Sequence, residues 1–481
     1  MVKKRFVGRQ KELKSLSELH QKRIPGLVVV KGRRRIGKSR LIAEFAGQHA
    51  QCRFWNFAGL APQEGMSAQD QRDHFARQLA DKLGQPPCLF HDWSAAFDYL
   101  QAQLSPGDIV LLDEISWMGA KDLSFVPKLK AWWDNQTVPV VLVFCGSVST
   151  WVEENILNST AFFGRVNLTI GLEPLSIPDS ANLLQAMGYQ GSSYDTYKLL
   201  SVLGGVPWYL EQVDSGQTAD AIIKKLCFEK NGLLVLEFDR IFHDLFNGKG
   251  AVYKKILGSL RDGARTLSEV RQAIDFSRSG SLSKFMDNLV IAGFVEKKSL
   301  WSFKTLKPLK KSLYYICDPY MRFYLKVIDP NKNKISLGGF DEMTLSSLPG
   351  YDAHMGLQLE YLLLQNRALL LKAMGVDLST VSSDGPYRQS KTAAQLGCQV
   401  DYLVQTQTKN LFICEFKFKR RELGIDIVRQ VEDKVSALKI PRGFAGIPIL
   451  FHLSGVAESV ETGGYFYRVI DIADFLEISD E

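Results

Sequence analysis

The stretch LVVVKGRRRIGKSRLIAEFA, from Leu27 to Ala46, decides how the first third of the chain folds. Its unbroken apolar run, Leu27 to Val30, reads as a strand buried on both faces. A loop with glycines at 32 and 37 follows, and then an amphipathic pattern that predicts a helix. The loop GRRRIGKS matches G-x-x-x-x-G-K-[ST] at Gly32, Gly37, Lys38 and Ser39. Glycines let the backbone close around a phosphate, and the amides and the new helix N-terminus point at the anion. The backbone from Gly32 through Arg33, Arg34, Arg35, Ile36 and Gly37 to Lys38, Ser39 and Arg40 would therefore cradle the phosphates of ATP. Lys38 would reach the β- and γ-phosphates and Ser39 would hold Mg2+.

Such a site needs a second apolar strand that ends in acid, and DIVLLDEISWM (Asp108 to Met118) supplies it. Asp113 would hold Mg2+ through water, and Glu114 would orient or deprotonate the attacking water. A helix N-cap at a strand end is the plainer reading of Asp113 alone. The run VPVVLVFCGSVS (Val138 to Ser149) predicts a third strand. Ser147, at its end, would sit between the phosphate loop and the acidic strand, either sensing the γ-phosphate or capping a helix.

With FVGRQKEL before the first strand, and then LLDEI, CGS, FFGR and GGVPWYL in order, the region Phe6 to Leu210 resembles the archaeal-type ATPases of the AAA+/STAND group. The resemblance implies that Phe6 to Arg9 lie near the adenine. It makes Arg165, in FFGR, a candidate arginine finger or sensor; a surface ion pair is the alternative for that residue. It also makes Gly205-Val206-Pro207 part of a helical lid. The stretch Pro62 to Ser94 reads as an inserted polar helix in which no chemistry is visible.

With 481 residues, the chain exceeds one ordinary core. Its 46% hydrophobic and 23% charged content is that of a soluble globular protein. No signal peptide and no membrane-length apolar run is seen. The seven cysteines are scattered without a C-x-x-C pair, which fits a reducing cytoplasm. Net charge is +7, yet residues 249–326 alone hold 16 Lys and Arg against 6 Asp and Glu, so the rest of the chain is slightly acidic. In this segment, AVYKKILGSLRDG, TLSEVRQAI and SLSKFMDNLVIAGFV predict three helices, the last with a stripe of Leu282, Phe285, Leu289 and Ala292. Two strand-like pieces around KTLKPLK complete a winged-helix pattern. Its third helix, with Ser281, Ser283, Lys284 and Asn288 off the stripe, would enter a DNA groove while the Lys-rich wing tracks phosphates. Domain packing is the plainer use of the same module.

The last third opens on the predicted helix HMGLQLEYLLLQNRALLLKAMG, where Glu360 lies on the face of Leu357, Leu363 and Leu364. A carboxylate there is costly unless paired. Then come LGCQVDYLVQ with Asp401, a turn, and LFICEFKFKRR with Glu415 and Lys417, predicting a hairpin. A helix with Val428, Val431, Val435 and Leu438 and a buried strand PILFHLSG follow. This order resembles the restriction-endonuclease-like fold, whose motif is an Asp and then (D/E)-x-K on the next strand, with Val400 here in place of the usual Pro. The resemblance makes Asp401, Glu415 and Lys417 candidate catalytic residues. Asp401, Glu415 and Glu360 become candidate ligands for Mg2+ or Mn2+, and Gln430 matches a Gln on the following helix. A salt-bridge cluster on an inherited fold is the non-catalytic alternative.

The expected architecture is therefore α/β: a P-loop NTPase core at 1–172, a helical lid at 173–248, a winged helix at 249–328, a linker at 329–350 and a restriction-endonuclease-like domain at 351–481. The expected function is ATP hydrolysis by a protein acting on DNA, with ATP state controlling a metal-dependent nuclease. The alternative is a regulatory switch ATPase whose C-terminal domain only binds a partner. A homo-oligomer or another protein partner is left open.

Overall fold

The structure, a computed structural model, describes residues 6–477 apart from 62, 147–148, 247–249, 277–278, 302–307, 390 and 394. Ser147 and Lys307 lie outside the described residues, as do the side chains of Lys310 and Lys311. The chain falls into two compact units, one of residues 1–174, 240–250 and 285–293, the other of 175–239, 251–284 and 294–481.

The first unit is built on five parallel strands: β1 (Gly26–Lys31), β2 (Phe54–Ala58), β3 (Ile109–Asp113), β4 (Val141–Gly146) and β5 (Val166–Gly171). Their order across the sheet is β2-β3-β4-β1-β5. Central parallel strands are covered on both faces, which is why β1 and β4 are continuous apolar runs without alternation. The order puts β4 between β1 and β3, with Val143 in register with Val28 on one side and Leu111 on the other. On one face the core is largely aromatic, with Phe57, Phe75, Trp93, Phe97, Phe125 and Trp132 in contact. Phe75 comes from the polar stretch after β2, where Ala68–Leu83 is a helix with a reciprocal Ser67–Asp70 capping box.

The second unit contains helices Ile177–Ala186, Ser193–Leu203 and Ala219–Cys227, and the antiparallel hairpin of β6 (Val295–Trp301) and β7 (Pro308–Ile316). A short bridge between Arg265 and Tyr314 adds a third pairing beside the hairpin. Helix Ser279–Ile291 departs from its expected stripe, because Met286 is fully buried and Phe285 only half-buried. Residues 329–350, expected as a linker, hold a helix at Asp329–Ser336 and bury Ile335, Phe340 and Leu345. Three apolar residues spaced over that stretch suffice to pack it, and the polar composition between them hid the fact.

A second five-stranded sheet follows: β8 (Val381–Gln389), β9 (Cys398–Thr406), β10 (Asn410–Lys417), β11 (Ala445–His452) and β12 (Arg468–Asp471), in the order β12-β11-β10-β9-β8. Strands β8 to β10 pair antiparallel, whereas β10, β11 and β12 pair parallel, with helix Asp426–Ala437 crossing from β10 to β11. Strand β8 escaped the sequence reading because VSSDGPYRQ is polar and contains Gly385 and Pro386. It is an edge strand with two register shifts, the place where such residues are tolerated. Helix Tyr351–Gln365 buries Tyr351, Met355, Leu359, Leu362 and Leu363. Leu357, expected on that face, is exposed.

A Cβ at Gly205 would stand 2.0 Å from the carbonyl oxygen of Leu175, whose own N–H donates to Gly205 O at 2.7 Å. Gly205→Ala is therefore expected to destabilise the second unit by about 3 kcal/mol, the upper end of overpacking costs. Urea unfolding of the variant against the parent chain reads this out.

Candidate functional site

The phosphate loop joins β1 to helix Lys38–Gln48. Gly32 has φ 149° and Gly37 φ 95°, conformations that favour glycine, and Arg35 takes the left-handed region at φ 69°. A Cβ on Gly32 would also stand 2.7 Å from Leu172 O, so the backbone approaches closely here. Lys38 Nζ donates to Gly32 O at 3.0 Å and to Arg33 O at 3.1 Å, folding the ammonium back across the loop. Burial pulls this amine below the ordinary lysine range, while Glu114 and Asp113 act to raise it. A buried amine facing nearby acids is suited to meet an incoming phosphate.

Parallel pairing brings the C-terminal ends of β1, β4 and β3 together, and the chemistry collects there. Ser39 Oγ donates to Asp113 Oδ2 at 2.5 Å, and Glu114 N donates to Asp113 Oδ1 at 3.0 Å. Glu114 is itself left-handed, with φ 49°, and begins the short helix Ile115–Met118. The sharp turn lets the acid pair follow directly from the buried strand. Gly59, after β2, donates its N–H to Asp113 O at 2.9 Å, and a Cβ there would meet Glu114 O at 2.8 Å. Hydroxyl and carboxylate oxygens converging in this way fit the hard-ligand chemistry of Mg2+, so Ser39 and Asp113 are the residues that would hold it. The magnesium would neutralise phosphate charge; Lys38 would bind the phosphates and Glu114 would hold the attacking water. Cys145, buried at the end of β4, was not singled out from sequence. Burial and the neighbouring Asp113 push its thiol well above the usual range, which marks it as inert filling beside the acids.

Arg9 donates to Glu173 O at 2.5 Å, which ties the segment Phe6–Arg9 to the chain just after Leu172 and so to the flank of the phosphate loop. Arg165 is held by Asp134: Nε donates to Oδ1, and a second guanidinium nitrogen donates to Oδ2 at 3.2 Å. Within this chain Arg165 thus has the surface ion pair that was one of its two readings. The pair raises the guanidinium above its ordinary value and lowers Asp134.

In the second unit, β9 and β10 bring Asp401, Glu415 and Lys417 together. Asp401 Oδ2 accepts Phe416 N at 3.0 Å. Lys417 Nζ donates to Glu415 Oε1 at 2.6 Å, and Lys434 Nζ donates to Glu415 Oε2 at 2.5 Å while standing 3.8 Å from Asp401 Oδ1. Both oxygens of the buried Glu415 are therefore met by ammonium groups. Among the described residues no three His, Cys, Asp or Glu side chains converge to hold a metal ion. In this arrangement the ligand set Glu360, Asp401 and Glu415 expected from sequence does not fit a divalent cation. Gln430 is exposed; one turn further along the same helix, Lys434 reaches the carboxylates instead. Asp401 is pushed up to about 6 by burial and Glu415, and Glu360 up to about 7 by burial, Asp401 and Glu415. Burial also opposes the charge on Lys434, but Asp401 and Glu415 outweigh it and hold the amine above its usual range.

These shifts set a direction. A carboxyl whose folded value lies above its unfolded value binds more protons in the native state, so stability falls as pH rises between the two. For Glu360 that window runs from the ordinary carboxyl value of 4.5 to about 7. Glu360→Gln is expected to raise Tm at pH 8 and to leave it nearly unchanged at pH 4; calorimetry at the two pH values checks it. Mn2+ titration followed by electron paramagnetic resonance tests the ammonium pairing. The chain with Asp113→Ala, which removes the carboxylate that would hold metal at the phosphate loop, should bind Mn2+ weakly, and adding Lys434→Gln, which frees one Glu415 oxygen, should tighten binding at least tenfold.

Residues 6–213 match the family described as an ATPase domain predominantly from Archaea. An uncharacterized protein, MJECL04 of Methanocaldococcus jannaschii, is 24% identical over 364 residues, covering 74% of this chain and 75% of that protein. Among solved structures, the ORC2 protein of Aeropyrum pernix in ADPNP–ADP complexes aligns with TM-score 0.40 at 13% identity, over 69% of this chain and 95% of its own. The RuvB Holliday junction branch migration motor of Thermotoga maritima aligns with TM-score 0.35 at 14% identity, over 60% and 90% of the two chains. Such scores are too low to carry functional argument. No helix of the described residues is long and apolar enough to cross a membrane. Residues 6–213, which hold the parallel sheet and the phosphate loop, are thus similar to the archaeal-type ATPase domain.

Proposed function

We propose that this chain binds and hydrolyses ATP with Mg2+ and acts on DNA. The observation that carries the first part is the Ser39–Asp113 hydrogen bond of 2.5 Å beside the buried Lys38. Two segments far apart in sequence meet with the hydroxyl, carboxylate and ammonium that nucleotide hydrolysis requires. Glu114 is the base or water-orienting residue, and Lys38 the phosphate ligand that also stabilises charge as the γ-phosphate leaves. Support for DNA comes from the basic segment at 249–326, whose three helices and hairpin follow in winged-helix order.

For the C-terminal sheet the reading favoured is a non-catalytic member of the endonuclease-like fold that passes nucleotide state to a partner. What supports it is the double capping of Glu415 by Lys417 and Lys434. In the nuclease reading, Asp401 and Glu415 hold a metal and Lys417 stabilises the scissile phosphate; it stands on the same three residues and on the strand order alone.

Lys38→Ala should abolish ATP binding while circular dichroism stays native, whereas Glu114→Gln should retain binding and lose turnover by at least a hundredfold, because it removes the base and leaves the phosphate cradle intact. Duplex DNA affinity should fall steeply with salt, and replacing Lys307, Lys310 and Lys311 together should flatten that slope. Unaltered ATP affinity in a folded Lys38→Ala chain, or duplex binding indifferent to both salt and these lysines, would contradict the proposal.

A further inference from the structure

Beyond the carboxylate cluster, strand β10 runs on into Phe418-Lys419-Arg420-Arg421, and these four residues wall a cavity of about 330 Å3 in the second unit with Tyr194, Lys198 and Tyr351. The Phe418 and Tyr194 rings are stacked, with centroids 4.6 Å apart and planes 3° from parallel. Arg420 lies 5.7 Å from the Tyr194 ring centre and donates from Nε to the Tyr194 hydroxyl at 3.4 Å. Lys198 forms the floor: only 4% of it is exposed, its ammonium is paired with Asp220, and it lies 5.9 Å from the Tyr351 ring. Lys419, Arg420 and Arg421 are exposed at the rim, and Asp352 is the one acid in the lining.

Three consecutive exposed cations repel one another; Asp220 is taken up by the buried Lys198, and Asp352 in the wall does not balance all three. The cavity offers them an anion. Its aromatic wall is of no use to a bare phosphate, but it suits a base carried on one. The volume falls at the small end of ligand sites and matches one nucleotide rather than a duplex. We infer that this cavity binds a single-stranded nucleic acid, with a base against the Tyr194–Phe418 stack and the adjoining phosphates on Lys419, Arg420 and Arg421. The inference deepens the proposed action on DNA and rests on it. It adds a strand-binding pocket distinct from the basic segment at 249–326. It requires no chemistry at Asp401 or Glu415, since the pocket lies past the end of β10 and recognises stacking and charge.

Fluorescence anisotropy with labelled oligothymidylate and with a labelled duplex, each titrated across salt concentrations, separates the two surfaces. Replacing Lys419, Arg420 and Arg421 together by Ser should weaken oligothymidylate binding at least tenfold and flatten its log–log salt slope by about 2. Phe418→Leu keeps an apolar side chain but removes the stack, and should weaken it about tenfold with no change in salt slope. Both variants should keep duplex affinity and ATP turnover. Oligothymidylate binding unchanged in both variants, with duplex binding still lost on replacing Lys307, Lys310 and Lys311, would overturn the pocket and leave the proposed function standing. Polyglutamate competing as well as oligothymidylate would also overturn it, because charge alone would then account for the surface. A chain that binds neither nucleic acid would remove both readings together.

Discussion

The hydrogen bond from Ser39 to Asp113 spans 74 residues of sequence, and the first unit is arranged so that it can form. Parallel strands end on the same edge of their sheet, so loops that follow β1, β4 and β3 emerge side by side. Chains of this kind collect their chemistry at that edge because polar groups have no place within the buried strands. The cost is backbone conformation. Gly32 and Gly37 supply shapes that other residues resist, and Arg35 and Glu114 adopt left-handed geometry within the same small region. Strain of this sort persists where surrounding packing over-determines it, and the aromatic core beneath β3 supplies that packing.

The second unit solves a different electrostatic problem. Glu360, Asp401 and the buried Glu415 act on one another electrostatically, and three like charges there would be prohibitive alone. Burial and the neighbouring carboxylates push Glu360 and Asp401 upward, and Lys417 from the same strand and Lys434 from the crossing helix oppose that shift. The cluster is balanced by the protein's own cations. Whether such a constellation carries a metal or a salt-bridge network depends on which cation reaches the carboxylates, and here Lys434 stands nearest Glu415 Oε2.

Much of the nucleotide site was legible in the residues. The loop motif needs its glycines, lysine and serine at fixed offsets, and an acid pair at the end of an apolar strand has few other uses. The parallel sheet, too, follows from continuous apolar runs separated by helical patterns. Less was legible where periodicity gives no signal. Strand β8 is polar and carries Gly385 and Pro386, and the helix at Asp329–Ser336 is built from DPNKNKIS, which has a single buried residue, Ile335. Single-position errors have the same origin: Met286 displaced Phe285, and Leu357 turned out exposed, because a stripe a hundred degrees wide admits more than one choice of centre.

The sequence by itself determined that there is a phosphate loop, an acidic strand to face it, and an acid-x-lysine strand late in the chain, because each is a local pattern of spacing and side-chain type. It left Arg165 between two roles and pointed to Gln430 on the last crossing helix. Tertiary structure supplies the charges that meet within the chain in those two regions. Asp134 claims Arg165 across 31 residues, and the helix Asp426–Ala437 presents Lys434, rather than Gln430, to Asp401 and Glu415. Both outcomes turn on which distant charge comes within a few ångströms, and Coulomb energy at such range depends on separation and burial, neither of which is written in the order of residues.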